Sequence, residues 1–184
     1  GEIEVQLQLA GEHNRMNALA AIAASLAAGA DLTDAAQALA RLAPVAGRLC
    51  PLVGPGGARL IDDSYNANPD SVVAALQVLS AAPGRRTLVL GDLAELGTKA
   101  QQLHRQLGER AAEFGIERVL TVGELSRHAG LSFGGEHRHY TDHAVLADEL
   151  MNELSDEDRV LVKGSRAARM EDVIQRLRVG EAAC

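Results

Sequence analysis

The sequence predicts an α/β fold, a mostly parallel sheet with helices on both faces, and two observations carry that prediction. Beyond residue 58, short apolar runs such as "TLVL" and "RVLV" alternate with amphipathic stretches of ten or more residues. Strands buried under helices on both sides read as near-continuous apolar runs, and that alternation is the pattern of a parallel sheet. The composition agrees: 47% of the 184 residues are hydrophobic and only 2% aromatic, which suits Ala- and Leu-rich helices packed on a sheet.

The elements follow in order. "EIEVQLQL" alternates Ile3, Val5, Leu7 and Leu9 with polar partners, which predicts a strand with one wet face. "HNRMNALAAIAASLAAG" sets Met16, Leu19, Ala20, Ile22, Ala23 and Leu26 at helical spacing, and Gly29 stops the helix. "DLTDAAQALARLAP" is a second helix with Thr33 as its cap and Pro44 as its terminator. The boundary falls between Pro44 and Leu49, dividing a strand–helix–helix part, 1–46, from a larger part, 47–184.

In the larger part, "GRLCPLV" and "ARLIDD" flank Gly54-Pro55-Gly56-Gly57 as a hairpin. Then come helix "SVVAALQVL", strand "RTLVLGD", helix "KAQQLHRQLGERAAEF", strand "RVLTVG" and a weaker strand "EHRHYT". Helix "HAVLADELMNEL", strand "DRVLVKG" and a closing helix "ARMEDVIQRLR" complete the chain, with no internal repeat or low-complexity tract.

A formal charge of −7 argues against a generic nucleic-acid binder, whose phosphate contacts need excess Lys and Arg. No apolar window is long enough to cross a bilayer, and no basic-then-apolar leader opens the chain. Cys50 and Cys184 form no CxxC pair, so neither a disulfide framework nor a zinc knuckle is indicated. The expectation is a soluble protein of a reducing, cytoplasmic compartment with no membrane partner.

Ligands of doubly wound sheets bind at the carboxyl ends of the strands. Polar residues collect at four such ends: Asp62, Asp63, Ser64, Tyr65, Asn66 and Asn68; then Asp92 and Glu95; then Glu124; then Lys163, Ser165 and Arg166. "DDSYNANP" is made of turn formers, yet a carboxylate there could also accept hydrogen bonds from two vicinal ribose hydroxyls. Asn14 and Asn17 stand three apart on one helical face; they could simply open a helix, or present the donor–acceptor pairs that adenine requires. Lys163 and Arg166 stand around Gly164 before a helix, whose N-terminus favours anions, although an ordinary βα turn could hold them too. His104 is expected on the exposed face of its helix. His128, His137, His139 and His143 are expected in loop-rich surroundings, with no zinc spacing among them. No GxxxxGK[ST] loop, nucleophile elbow or GxGxxG fingerprint occurs.

Taken together, "GEHNRMNALAA", "AGRL", "LIDDSYNANPDS", "VLGDLAELG" with His104, and "LVKGSRAARME" resemble the Mur ligases, the ATP-dependent amide-forming enzymes of peptidoglycan synthesis. The resemblance covers almost the whole chain. It implies a Rossmann-like C-terminal domain, 47–184, preceded by the strand–helix–helix tail of a central ATPase domain, 1–46. Within the family the motifs match the member that joins D-alanyl-D-alanine to UDP-MurNAc-tripeptide through an acyl phosphate, releasing ADP and phosphate. The resemblance implies ATP and Mg2+ as cofactors, the metal held by residues outside this chain, and a monomer. It assigns adenine to Asn14 and Asn17 with His13 beside them, and places Arg48 near ribose and phosphates. Asp63 would hold the ribose hydroxyls inside a loop of Ser64, Tyr65 and Asn66. Lys163, Ser165 and Arg166 would face the amine substrate, with Glu95 and His104 as secondary candidates. The site would form only when the two parts close, and this stretch alone is expected to be inactive for want of a phosphate-binding loop. The rival reading is a phospho-accepting receiver domain, mimicked by Asp62-Asp63, Asp92 and Lys163, but Asp92 follows Asp63 too closely and the helical prefix has no role there. Another Mur or folylpolyglutamate-type ligase domain is a second alternative.

Overall fold

The computed structural model describes residues 2–180, so Cys184 lies outside the described residues. The chain divides into two compact units, Gly1–Pro44 and Val45–Cys184.

In the first unit, α1 (Glu12–Ala27) and α2 (Leu32–Ala40) meet through Ala21, Ile22 and Ser25 of one and Ala35, Ala38 and Leu39 of the other. Gly29, at φ +90°, closes α1 with its N–H on Leu26 O at 3.0 Å. The cap of α2 is Asp31, whose Oδ1 accepts from Thr33 N at 2.7 Å. Thr33 itself lies inside the first turn, so the expected cap is corrected by two positions. The expected strand over 2–9 is absent as well: those residues adopt no regular structure. A strand needs a neighbour to receive its backbone hydrogen bonds, and among the described residues none pairs with this segment.

The second unit is built on a sheet of β1 (Cys50–Val53), β2 (Arg59–Asp63), β3 (Arg85–Gly91), β4 (Arg118–Val122), β5 (Glu136–Tyr140) and β6 (Asp158–Lys163). Their order is β1-β2-β6-β3-β4-β5, parallel throughout except for β1. The β1–β2 hairpin turns over Pro55–Gly57, where a Cβ on Gly56 would lie 2.3 Å from Leu154 O. Glycine is the residue that fits.

Helices α3 (Pro69–Ser80), α4 (Ala100–Glu113) and α5 (Arg127–Phe133) pack on one face of the sheet. Helices α6 (His143–Glu153) and α7 (Glu171–Leu177) pack on the other. Strand alternation divides the core accordingly: Leu88, Leu90 and Leu161 join the first layer, and Val89, Val160 and Val162 the second. An Asn68 cap, reciprocated by Ser71, fixes the start of α3 directly behind the end of β2. Helix α5 had no sequence expectation. "RHAGLSF" is short, and it is held by packing: Gly108 of α4 is so close that a Cβ would sit 2.0 Å from Ala129 O.

With β2, β3, β4 and β6 parallel, all four polar strand ends open on one edge of the sheet. The expected α/β architecture is therefore found, with helices on both faces.

Candidate functional site

The end of β2 carries the two aspartates, and strand alternation separates their roles. Asp62 is buried: Oδ2 accepts from Gly47 N at 3.0 Å, and Oδ1 accepts from Ser64 N at 3.1 Å and Ser64 Oγ at 2.6 Å. It is a lock between two chain segments. Asp63 pairs instead with Lys163, its register partner on β6, Oδ2 to Nζ at 2.6 Å, while its Oδ1 accepts from Leu49 N at 3.2 Å. Lys163 also donates to Asn66 O at 3.0 Å, so one ammonium ties both the strand and the following loop.

Gly47 makes this lacing possible. It stands at φ +75°, and a Cβ there would lie 3.0 Å from Tyr65 Cβ. Its carbonyl accepts from Tyr65 N at 3.1 Å. The segment holding Arg48 is thereby laid along the Ser64–Asn66 loop. Tyr65 is exposed, with the Arg48 guanidinium carbon 4.5 Å from the ring centroid and that of Arg166 at 5.8 Å.

After β6, Ser165 is buried and both its N–H and its hydroxyl donate to Asp92 O, at 3.0 and 2.7 Å. Lys163 and Ser165, expected to face a substrate, have their polar atoms engaged within the fold, whereas the Arg166 side chain is largely exposed and pairs with Glu171 at 3.1 Å. The anticipated helix N-terminus is not there. A 3-10 turn, Arg166–Ala168, and a left-handed Arg169 intervene before α7, and Met170 then packs so closely on Gly91 and Gly164 that a Cβ on either would lie 2.4 or 2.5 Å from its side chain.

His104 requires a correction. It is wholly buried: Nε2 accepts from Leu93 N at 3.1 Å and Nδ1 donates to Ala100 O at 2.7 Å. Helix α4 turns this residue inward, where a ring with one donor and one acceptor nitrogen can bridge to the loop after β3. That loop carries Glu95, exposed and at φ 62°, a left-handed conformation uncommon outside glycine.

The Asp92 carboxylate accepts three backbone bonds, from Glu124 N and Leu125 N at 3.0 Å and Ser126 N at 2.7 Å. A side chain so enclosed is a poor phosphoryl acceptor, which counts against the receiver reading. The remaining histidines are also better ordered than expected. His128 is buried within α5, and desolvation, with Arg127, Arg105 and His104 nearby, pushes its pKa below the usual value. His139 meets Thr121 Oγ1 at 3.0 Å, and His143 Nε2 donates to Ala168 O at 2.8 Å, bracing the turn that follows Arg166. Nothing in the sequence pattern marked that brace. Among the described residues, no group of three or more His, Cys, Asp or Glu side chains is placed to hold a metal ion.

In the first unit, His13 is exposed on the opening turn of α1 and Asn17 on the second, and Asn14 is half-buried, its Nδ2 donating to Ala10 O at 2.7 Å. No helix is long and apolar enough to cross a membrane among the described residues.

A mostly parallel sheet with helices on both faces, and with acids, arginines and a tyrosine gathered at its carboxyl edge, defines the second unit as a Rossmann-like domain. The model of the "Mur ligase, glutamate ligase domain" family matches residues 47–166, and the chain belongs to that family. It is 45% identical over 179 residues to UDP-N-acetylmuramoyl-tripeptide–D-alanyl-D-alanine ligase of Escherichia coli (strain K12), covering 96% of this chain and 39% of that protein. Among solved structures it is similar to MurF from Acinetobacter baumannii (36% identity, TM-score 0.83, 93% of this chain and 38% of the other). It is also similar to MurF ligase from Thermotoga maritima in complex with ADP (26% identity, TM-score 0.78, 91% and 38%). The chain spans about two-fifths of the length of the curated relatives it matches.

Proposed function

We propose that this chain is the C-terminal part of an ATP-dependent ligase that joins D-alanyl-D-alanine to UDP-MurNAc-tripeptide, releasing ADP and phosphate. The observation that carries the reading is the gathering of Asp63, Arg48, Tyr65 and Arg166 at one sheet edge, in a chain 45% identical to a ligase of that name.

In this reading residues 1–46 are the tail of a central ATP-binding domain and 47–184 the C-terminal domain. Asn14 and Asn17, beside His13, read adenine. Asp63 accepts from the ribose hydroxyls with the lone pairs that Lys163 and Leu49 leave open, and Ser64, Tyr65 and Asn66 shape the loop around it. The donor set fits a nucleotide, since guanidiniums bind phosphate oxygens in pairs. ATP would supply the phosphoryl group that activates a carboxylate. Arg48 and Arg166 would bind an oxyanion of the nucleotide or of the dipeptide, while Lys163 and Ser165 hold the loop that presents Arg166. Mg2+ would be held mainly by residues outside this chain. Without a GxxxxGK[ST] loop, the 184 residues alone would not ligate; the complete enzyme would work as a cytoplasmic monomer.

The test uses the complete protein carrying this chain. ADP formation should require both the UDP-linked tripeptide and the dipeptide, and Asp63→Ala should weaken ADP binding at least tenfold while the variant still melts cooperatively. ADP released at the same rate without the dipeptide would refute the ligase reading. Unchanged ADP affinity in Asp63→Ala would remove the ribose assignment.

A further inference from the structure

We propose that Tyr65 is a positioning residue whose ring holds the guanidiniums of Arg48 and Arg166 as a two-armed clamp for a single oxyanion. The proposal rests on the ligase reading and extends it to a residue whose own chemistry that reading leaves unused.

The two arginines come from distant parts of the sequence, one before β1 and one after β6. Each lies within the roughly 6 Å at which an aromatic face attracts a cation, at 4.5 and 5.8 Å from the same ring. Two guanidiniums brought to one ring repel each other, and the attraction of each to the ring's π-electrons offsets part of that repulsion. Arg48 has no carboxylate partner among the described residues, and the one acid on Arg166, Glu171, leaves much of its fork exposed. The pair therefore presents a net positive edge with unused N–H donors, the arrangement that phosphate or carboxylate oxygens bind.

The ring is also better anchored than its 48% exposure suggests. Its backbone N–H is bonded to Gly47 O, Gly47 N is held by the buried Asp62, and the next carbonyl, Asn66 O, accepts from the buried Lys163. No hydrogen bond engages the Tyr65 hydroxyl among the described residues. The ring, not the phenol, does the positioning, so phenylalanine should replace it and leucine should not.

The oxyanion has two sources in the proposed reaction, a phosphate of the nucleotide and the carboxylate of the dipeptide. Steady-state kinetics of the complete enzyme, comparing the parent with Tyr65→Leu and Tyr65→Phe, separate them. Tyr65→Leu should raise one KM by about fivefold, the scale of losing an exposed cation–π contact or two, with kcat changed less than twofold and the melting temperature close to the parent's. Tyr65→Phe should recover most of the loss. A raised KM for ATP identifies the phosphate, and a raised KM for the dipeptide identifies the carboxylate. Tyr65→Leu with both KM values at the parent level overturns the proposal, as does a Tyr65→Phe enzyme no better than Tyr65→Leu. Should the parent fail to ligate at all, the ligase reading falls by itself. Titration with inorganic pyrophosphate then still decides the clamp, because Tyr65→Leu must bind it more weakly than the parent and Tyr65→Phe must not.

Discussion

Asp63 and Lys163 face each other across β2 and β6, Oδ2 to Nζ at 2.6 Å, with the lysine side chain 2% exposed and the aspartate 13%. Removing one partner of so enclosed a pair leaves an uncompensated charge, which costs about 3–5 kcal/mol. Lys163→Met should therefore destabilise the protein by about 3 kcal/mol in urea unfolding. Asp63→Asn combined with Lys163→Met should recover a large part of that loss, because neither charge remains. A double variant as unstable as the sum of the singles would show that the pair is not coupled.

Gly47→Ala should be destabilising by about 1–3 kcal/mol, from a strained positive φ and a Cβ forced onto Tyr65. The loss should show in two measurements at once. The melting temperature should fall, and ADP binding to the complete enzyme should weaken, because Arg48 is carried on the displaced segment. Gly29→Ala is the control: it shares a positive φ but has nothing within 4 Å, so it should cost stability without altering binding.

Much of this was legible in the sequence, and the exceptions have physical causes. Apolar runs such as Leu88–Leu90 and Val160–Val162 announced buried parallel strands because period and burial both depend on local pattern. The acids at the strand ends announced an edge for the same reason. The pattern could not say which of Asp62 and Asp63 turns inward, since that is set by their partners Gly47 and Lys163, far away in sequence. A polar residue in an amphipathic pattern predicts exposure, so the pattern turns His104 to the wrong side of its helix; its burial depends on an orphan N–H at Leu93. The strand expected over 2–9 has correct alternation and, among the described residues, no ladder to join. Helix α5 exists through its packing on Gly108, which no window around residues 127–133 contains.

His104→Leu keeps most of the volume and removes the acceptor for Leu93 N. A buried donor left unsatisfied costs about 1–3 kcal/mol, and the loss should fall on the loop between β3 and α4. Hydrogen exchange at Leu93 through Leu96 should accelerate more than at the centre of β3. Uniform acceleration throughout the sheet would mean that the histidine serves global packing instead.

Acid should unfold the protein through three ion pairs at the ends of the strands. Burial alone would push the Asp158 carboxyl up, but the bidentate Arg85 fork at 2.6 and 2.9 Å and the Ser155 N–H and hydroxyl outweigh it and hold the group below its ordinary 3.8. Arg118, and then Arg138, keep Glu153 below 4.5 against the opposing effect of burial, and Arg86 does the same for Glu117. Because the folded values are depressed, these groups contribute fully above 4.5 for glutamate and 3.8 for aspartate, and the contribution is lost as pH falls beneath those values. The two histidines act in a different window. Burial, first of all, depresses both His128 and His139 below 6.5, so the unfolded chain takes up protons there before the folded one does. Stability should accordingly decline in two steps, one on passing below 6.5 and a steeper one below 4.5. Urea midpoints measured from pH 8 to pH 3 would resolve them. Asp158→Asn should lower stability at neutral pH and flatten only the acid step, while His128→Leu should flatten only the upper one. An Asp158→Asn curve parallel to the parent's down to pH 3 would mean that the Arg85 fork does not control acid unfolding.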